Sequence, residues 1–276
     1  FAGRAFVRLC ERWQPDAVLC THFLAAELLQ RPIRTGQLAP KVHLVVTDFD
    51  VHRMWFCPTV YRYHVSSELV KARLCLRYGY PEEHIRVHGI PVRREFAEPH
   101  DRVAIRARYG LDPFRPVVLF LSTGFATGPM RHSILGIWAD RSDVQVLAVC
   151  GRNERLRRAV ARLPRPGGAL LHALGFVERP GELMDVADLV VAKGGGVTLA
   201  ECLVAGKPVV VTAAIPGQEE RNVHALEEAG AGVWAPTPEE VRWRVCRLLE
   251  EPDRLAAMSR GARALGRPTA ALDIAD

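Results

Sequence analysis

Residues 188–201, DLVVAKGGGVTLAE, combine a buried strand, three glycines and a helix start. Glycine lets a backbone approach an anion closely. The N–H groups and positive dipole end of the following helix then favour phosphate. Leu199, Cys202 and Leu203 supply a packed stripe, Thr198 and Glu201 share another face, and Gly206 with Pro208 ends the helix. A carboxylate one turn past a phosphate site is placed to accept both hydroxyls of a ribose. Gly194, Gly195, Gly196, Thr198 and Glu201 are therefore candidate nucleotide ligands, the alternative being a tight structural turn with a surface glutamate. The spacing is neither GxGxxG nor GxxxxGK[ST], which sets aside the dinucleotide fingerprint and the P-loop.

Three further segments follow strand-like runs. Residues 122–129, STGFATGP, offer more backbone donors for the same phosphates. Residues 150–153, CGRN, bring Arg152, whose guanidinium suits a base edge or a phosphate, next to Asn153. Residues 215–222, IPGQEERN, concentrate Gln218, Glu219 and Asn222, groups that hydrogen-bond sugar hydroxyls in pairs. Glu219 and Glu220 are equally what a helix N-terminus favours on electrostatic grounds.

These residues need elements to hold them. At 276 residues the chain has room for about two domains. With 49% hydrophobic and 25% charged residues it has a globular composition, and no apolar run approaches the ~18 residues of a membrane span. Seven cysteines without a CxxC pair read as reduced thiols rather than a disulfide or zinc framework. Strands are expected at 16–20, 42–46, 63–66 and 85–88, then at 117–121, 144–149, 170–174, 189–192, 209–212 and 232–234, with helices between them. That rhythm implies parallel βαβ units. The charged, proline-bearing stretch 93–116 reads as a hinge, which divides the chain into domains 1–94 and 117–276 with a linker at 95–116. Residues 1–94 carry 14 Lys+Arg against 8 Asp+Glu, whereas 95–276 carry 23 of each. A basic first third suggests an anionic surface, membrane lipid or nucleic acid, or else a solvated basic face.

Taken in order, the segments resemble the diacylglycerol glycosyltransferases of the lipid-synthesising branch of glycosyltransferase family 28. The matching stretches are PDAVLCTHF at 15–23, VVTDFDVHRMWF at 45–56, GIPVRREF at 89–96, CGRN at 150–153, KGGGVTLAECLVAGKP at 193–208, IPGQEERN at 215–222 and RPTAALDIA at 267–275. The resemblance implies an α/β GT-B fold: two Rossmann-like, doubly wound domains facing a cleft, the second holding a UDP-hexose and the first meeting diacylglycerol. Carried over by position, it assigns the glycines 194–196 and Thr198 to the diphosphate, and Glu201 to the ribose. Phe176 and Val177 go to the uracil through backbone groups, Glu219 and Asn222 to the sugar, and Thr123 and Gly124 close over the phosphates. Ser122 and Thr123 depart from the glycines usual there. The family also opens with a glycine-rich loop carrying a histidine. Phe1 lies downstream of its position, so the first domain is expected to be truncated at its start and transfer by this chain alone to be slow or absent.

An inverting transfer needs a base for the acceptor hydroxyl and donors for the leaving UDP. Asp48 and His52 are the candidate bases, with Asp50 and His22 nearby. Residues 47–50, TDFD, contain a DxD pattern, but the GT-B resemblance implies no metal and no other cofactor. Trp55, with Met54 and Phe56 beside Arg53, suits acyl-chain contact or membrane insertion, as His22 suits the acceptor side; ordinary core is the rival for Trp55. The expected function is inverting transfer of glucose or galactose from a UDP-sugar to diacylglycerol in glycolipid synthesis. The alternatives are N-acetylglucosamine transfer to a peptidoglycan lipid precursor, or a non-catalytic UDP-sugar-binding module. The expected partners are the UDP-hexose, diacylglycerol and an anionic membrane surface, with no nucleic acid. The expected location is cytoplasmic, peripheral on the inner face of the cell membrane.

Overall fold

A parallel neighbour strand can be reached only by a crossover of a dozen or more residues, so alternating strands and helices commit a chain to parallel sheets. The computed structural model describes residues 2–122 and 128–276. It divides into two compact units, Phe1–Pro91 with Thr269–Asp276, and Val92–Pro268. The first contains α1 (Ala2–Trp13), β1 (Ala17–Cys20), α2 (Phe23–Arg34), β2 (Lys41–Val45), β3 (Arg62–Val65), α3 (Glu68–Tyr78) and β4 (Ile85–Val87). Its strands pair in the order β1-β2-β3-β4, all parallel. Leu29, Leu44, Tyr63, Val65 and Leu74 are fully buried at its core. Between β2 and β3 a long connection with one 3-10 turn, Arg53–Trp55, replaces the usual helix. The buried Tyr63 hydroxyl secures it, donating to Trp55 O at 3.0 Å and accepting from Cys57 N at 2.7 Å. Burial raises the Tyr63 pKa, so the hydroxyl stays protonated and able to donate.

The second unit contains α4 (Arg102–Arg108), β5 (Val117–Leu121), α5 (Gly128–Asp140), β6 (Gln145–Val149), α6 (Glu154–Ala161), β7 (Leu171–Leu174), α7 (Pro180–Val186), β8 (Leu189–Ala192) and α8 (Gly196–Val204). It continues through β9 (Val209–Val211), α9 (Glu220–Glu228), β10 (Gly232–Trp234), α10 (Pro238–Glu250) and α11 (Pro252–Leu265). The last helix, α12 (Ala270–Ala275), belongs to the first unit. Six parallel strands run in the order β10-β9-β8-β5-β6-β7. β5 and β8 are buried at every position, as a sheet covered on both faces requires. From β5 the chain winds outward through β6 and β7, then returns to β8 and winds the other way. The crevice between β5 and β8 is therefore the topological switch point, where open α/β sheets bind ligands.

All ten expected strands are present, with ends shifted by a residue or so. The hinge is different. Within 95–116, Phe96, Ile105 and Leu111 are buried, α4 packs on α7, and His100 N and Nδ1 lie 3.0 and 2.6 Å from Asp185 Oδ2. The stretch is a packed layer of the second unit. Its few apolar residues are widely spaced among charges, so composition hid them. Residues 269–276 also change sides, grouping with the first unit rather than the second, with Ala270 fully buried.

Candidate functional site

The glycine segment sits at the switch point. β8 ends at Ala192, Lys193 and Gly194 follow, and Gly195 occupies the N-cap of α8. Gly195 has no side chain to cap the helix, and no side-chain cap hydrogen bond is made at this helix start. The loop is held from behind: Gly194 N donates to Ala213 O at 2.7 Å, and Asn222 Nδ2 donates to Gly194 O at 2.9 Å. Thr198 is half-buried in that first turn, and Leu199, Cys202 and Leu203 are fully buried behind it. Gly206 takes a positive φ of 66° and closes the helix.

Glu201 lies one turn further on. Burial pushes its carboxyl up to about 7, with Arg93 opposing the shift and Glu95 adding to it. Both neighbours come from the 3-10 turn region at Arg94–Phe96, which packs on α8. Arg93 Nη2 pairs with Glu95 Oε1 at 2.7 Å.

At the ends of β6 and β7, Arg152 lies over the ring of Phe176, 5.7 Å from its centroid, and Phe176 is 68% exposed. Val177 is half-buried beside it. Asn153 turns inward: its Oδ1 accepts from Leu156 N at 2.9 Å and caps α6. After β9, Glu219 is buried, accepting from Lys193 Nζ at 2.6 Å and from Ile215 N at 2.9 Å. Asn222 is fully buried and Gln218 half-buried. The second unit thus gathers Gly194, Gly195, Gly196, Thr198, Glu201, Glu219 and Asn222 along adjacent strand ends. Thr123 and Gly124 lie outside the described residues.

The first unit gathers its own candidates. Asp48 Oδ2 accepts from Trp55 Nε1 at 3.1 Å, and Ser66 Oγ donates to Asp48 O at 3.1 Å. Trp55 is 1% exposed, so of its two readings the structure selects core, because the indole N–H finds the buried carboxylate. Asp50 is buried and ion-paired with Arg73, so both carboxylates of the DxD pattern have protein partners. His52 Nδ1 accepts from Met54 N at 3.3 Å, and His22 Nδ1 accepts from Leu24 N at 3.2 Å, each capping a helical turn. Phe23 joins them edge-on, 5.7 Å from His52 and 5.3 Å from Trp55. Beside this cluster is a groove of ≈ 770 Å³ lined by Phe23, Leu24, Met54, Phe56 and Tyr78, with Arg34, Arg53 and Arg77 among its polar residues. Met54 and Leu24, rather than Trp55, are its exposed apolar side chains, at 59% and 54%.

Reading residue types missed Lys193, Arg93 and Glu95. Lys193 adjoins the glycines in sequence, a signal that was available. The approach of Arg93 and Glu95 to Glu201 spans more than a hundred residues and left no local trace.

Two parallel α/β units, the second with a glycine loop at its switch point, are the architecture of the GT-B sugar-nucleotide enzymes. S. aureus MnaA in complex with UDP superposes with a TM-score of 0.75 at 14% identity, covering 99% of this chain and 78% of that one. Anabaena Alr3699/HepE in complex with UDP and glucose does so with a TM-score of 0.65 at 17% identity, covering 98% and 79%. At such identities the likeness speaks to the fold alone. The family follows from sequence: residues 131–273 match the glycosyltransferase family 28 C-terminal domain, and residues 1–92 match monogalactosyldiacylglycerol (MGDG) synthase. The chain belongs to glycosyltransferase family 28, in its diacylglycerol glycosyltransferase branch. The processive diacylglycerol beta-glucosyltransferase of Bacillus licheniformis is 31% identical over 258 residues, covering 94% of this chain and 67% of the relative. That of Bacillus subtilis (strain 168) is 32% identical over 257 residues, covering 93% and 66%. The chain spans about two thirds of the length of these curated relatives.

Proposed function

We propose that the protein transfers a hexose, glucose or galactose, from a UDP-sugar to diacylglycerol with inversion. The observation that carries the reading is the glycine loop at the switch point, with Glu201 one turn beyond it. Diphosphate on the first-turn N–H groups of α8 puts a ribose within reach of Glu201. Phe176, exposed beside Arg152, suits the uracil. Glu219 and Asn222, fixed behind the loop, suit the hexose. The first unit supplies the acceptor side: the groove takes the apolar lipid, its arginines meet an anionic membrane surface, and Asp48 or His52 takes the hydroxyl proton. Both candidates are engaged in the free protein, Asp48 through one carboxylate oxygen with the Trp55 N–H and His52 through Nδ1 with the Met54 N–H. The names of the relatives support the lipid acceptor, and the chemistry of the groove agrees with it.

The test is a pair of measurements. UDP at a hundredfold excess over its dissociation constant should stabilise the fold by about 2.7 kcal/mol, read as a raised Tm. With the full-length protein, UDP-glucose or UDP-galactose and diacylglycerol vesicles should yield the matching glycolipid, whereas residues 1–276 alone should transfer slowly or not at all. Failure of UDP to shift the Tm would remove the donor site. Binding without transfer to any acceptor by the full-length protein would leave a UDP-sugar-binding module.

A further inference from the structure

Between the end of β8 and the first glycine stands Lys193, to which the donor-site reading gives no task. Its Nζ donates to Glu219 Oε1 at 2.6 Å, while the other oxygen of that carboxylate accepts from Ile215 N. A methyl group placed on Gly195 would meet Lys193 Cε at 3.4 Å, and Glu219 Oε1 and Lys193 Nζ each at 3.6 Å, so the ion pair lies against the N-cap of α8. The Glu219 side chain is 7% exposed and that of Lys193 33%. The carboxylate is thus fixed and enclosed, and the cation keeps one side open. An ammonium carries three N–H donors, of which Glu219 takes one. An anion seated on the first turn of α8 comes within reach of the others.

We propose that Lys193 is the charge partner of the donor's diphosphate, shared between that diphosphate and Glu219. The inference rests on reading the glycine loop as the diphosphate site. Its consequence is that one ammonium joins the diphosphate to the carboxylate that meets the hexose. Departure of either neighbour changes the field felt by the other.

Calorimetry with UDP and with uridine, on the wild type, Lys193→Met, Lys193→Arg and Glu219→Gln, tests this. A charge-assisted contact to phosphate is lost in Lys193→Met, so UDP affinity should fall roughly tenfold to a hundredfold. Uridine, which has no phosphate, should bind as before, and Lys193→Arg should keep UDP affinity within a few-fold. Glu219→Gln leaves the cation without its competing carboxylate, so its UDP affinity should hold or rise; this variant keeps the test open should Lys193→Met not fold. Unchanged UDP affinity in Lys193→Met overturns the proposal. So does an equal loss for UDP and uridine, or a fall in Glu219→Gln, since each makes the pair a structural clip. A wild type that binds uridine but gains nothing from the diphosphate overturns the loop reading itself, which separates the two failures.

Discussion

At the scale of the residue, Glu201 carries the sharpest consequence. Its carboxyl is held near 7 by burial, so the folded protein keeps a proton that an unfolded glutamate releases around 4.5. The folded state binds more protons in that window, and its contribution to stability falls as pH rises from about 4.5 to about 7. Ligand binding has the opposite dependence. In the proposed site two ribose hydroxyls would donate to the ionised Glu201 carboxylate, so uridine affinity should weaken by up to about tenfold per pH unit below pH ~7 and level off above it. Uridine is the right probe because it has no phosphate to titrate. Glu201→Gln should flatten the profile, weaken binding roughly tenfold to a hundredfold above pH ~7, and raise the Tm at pH ~8 relative to wild type. A wild-type uridine profile that is level from pH ~5 to pH ~8 would take Glu201 out of the site.

At the scale of the element, the strand–loop–helix unit gives its glycines different tasks. None is required for backbone conformation: Gly195 has φ −70°, and Gly194 is not in the left-handed region. Gly194 is a packing glycine. A methyl group there would meet Val223 Cγ2 at 3.2 Å, Ala214 Cβ at 3.3 Å and Glu219 O at 3.3 Å, tighter than ordinary contacts allow. Gly194→Ala should therefore cost about 1–3 kcal/mol of stability, as overpacking does, and weaken UDP binding by shifting the loop. Gly195 has room for a methyl group in the free protein, its nearest contact being Lys193 Cε at 3.4 Å. Gly195→Ala should leave the Tm nearly unchanged while lowering UDP affinity, because the added methyl occupies the space a phosphate needs. Thermal melts with and without UDP distinguish the two. Equal destabilisation by both substitutions would contradict this division.

At the scale of the whole molecule, the charge asymmetry read along the chain is not the asymmetry of the units. Arg93 and Arg94 belong to the second unit, while Asp273 and Asp276 join the first. The first unit then carries 12 Lys+Arg and 10 Asp+Glu, the second 25 and 21. The proposed attraction to an anionic membrane therefore rests on a local group of guanidiniums and not on a generally basic half. Arg34, Arg53 and Arg77 border the groove that exposes Met54 and Leu24. Among the described residues no helix is long and apolar enough to cross a membrane. Replacing all three arginines by glutamine should lower partition into anionic vesicles roughly a hundredfold, at about 1 kcal/mol for each cation near the surface. Neutral vesicles should be little affected, and added salt should shrink the difference. Sedimentation with the two vesicle types measures it, and indifference of the triple variant to lipid charge would refute the groove's role.

The central strands of the second unit were legible because a parallel strand buried on both faces is a short apolar run, and β5 and β9 are nothing else. The glycine loop was legible as a strand–loop–helix joint, and residues 194–196 do run from beyond the end of β8 to the start of α8. The helix α2 was only partly so: the pattern points to residues 25–29, but the helix runs from Phe23 to Arg34 through Pro32. Near a C-terminus a proline removes little of the helix's hydrogen bonding. What the tertiary structure decided depends on register and on distant approach. Neither the order β10-β9-β8-β5-β6-β7 nor the switch point between β5 and β8 follows from the strand sequences one by one. Strand register sets His43, His64 and His88 in a diagonal row across β2, β3 and the end of β4, with ring nitrogens 3.1 and 3.2 Å apart. The burial of Trp55 on Asp48, the partners of both DxD carboxylates and the raised pKa of Glu201 are of the same kind. Each is a property of surroundings assembled by folding, a partner group or a burying shell, and side-chain type and spacing describe only one group at a time.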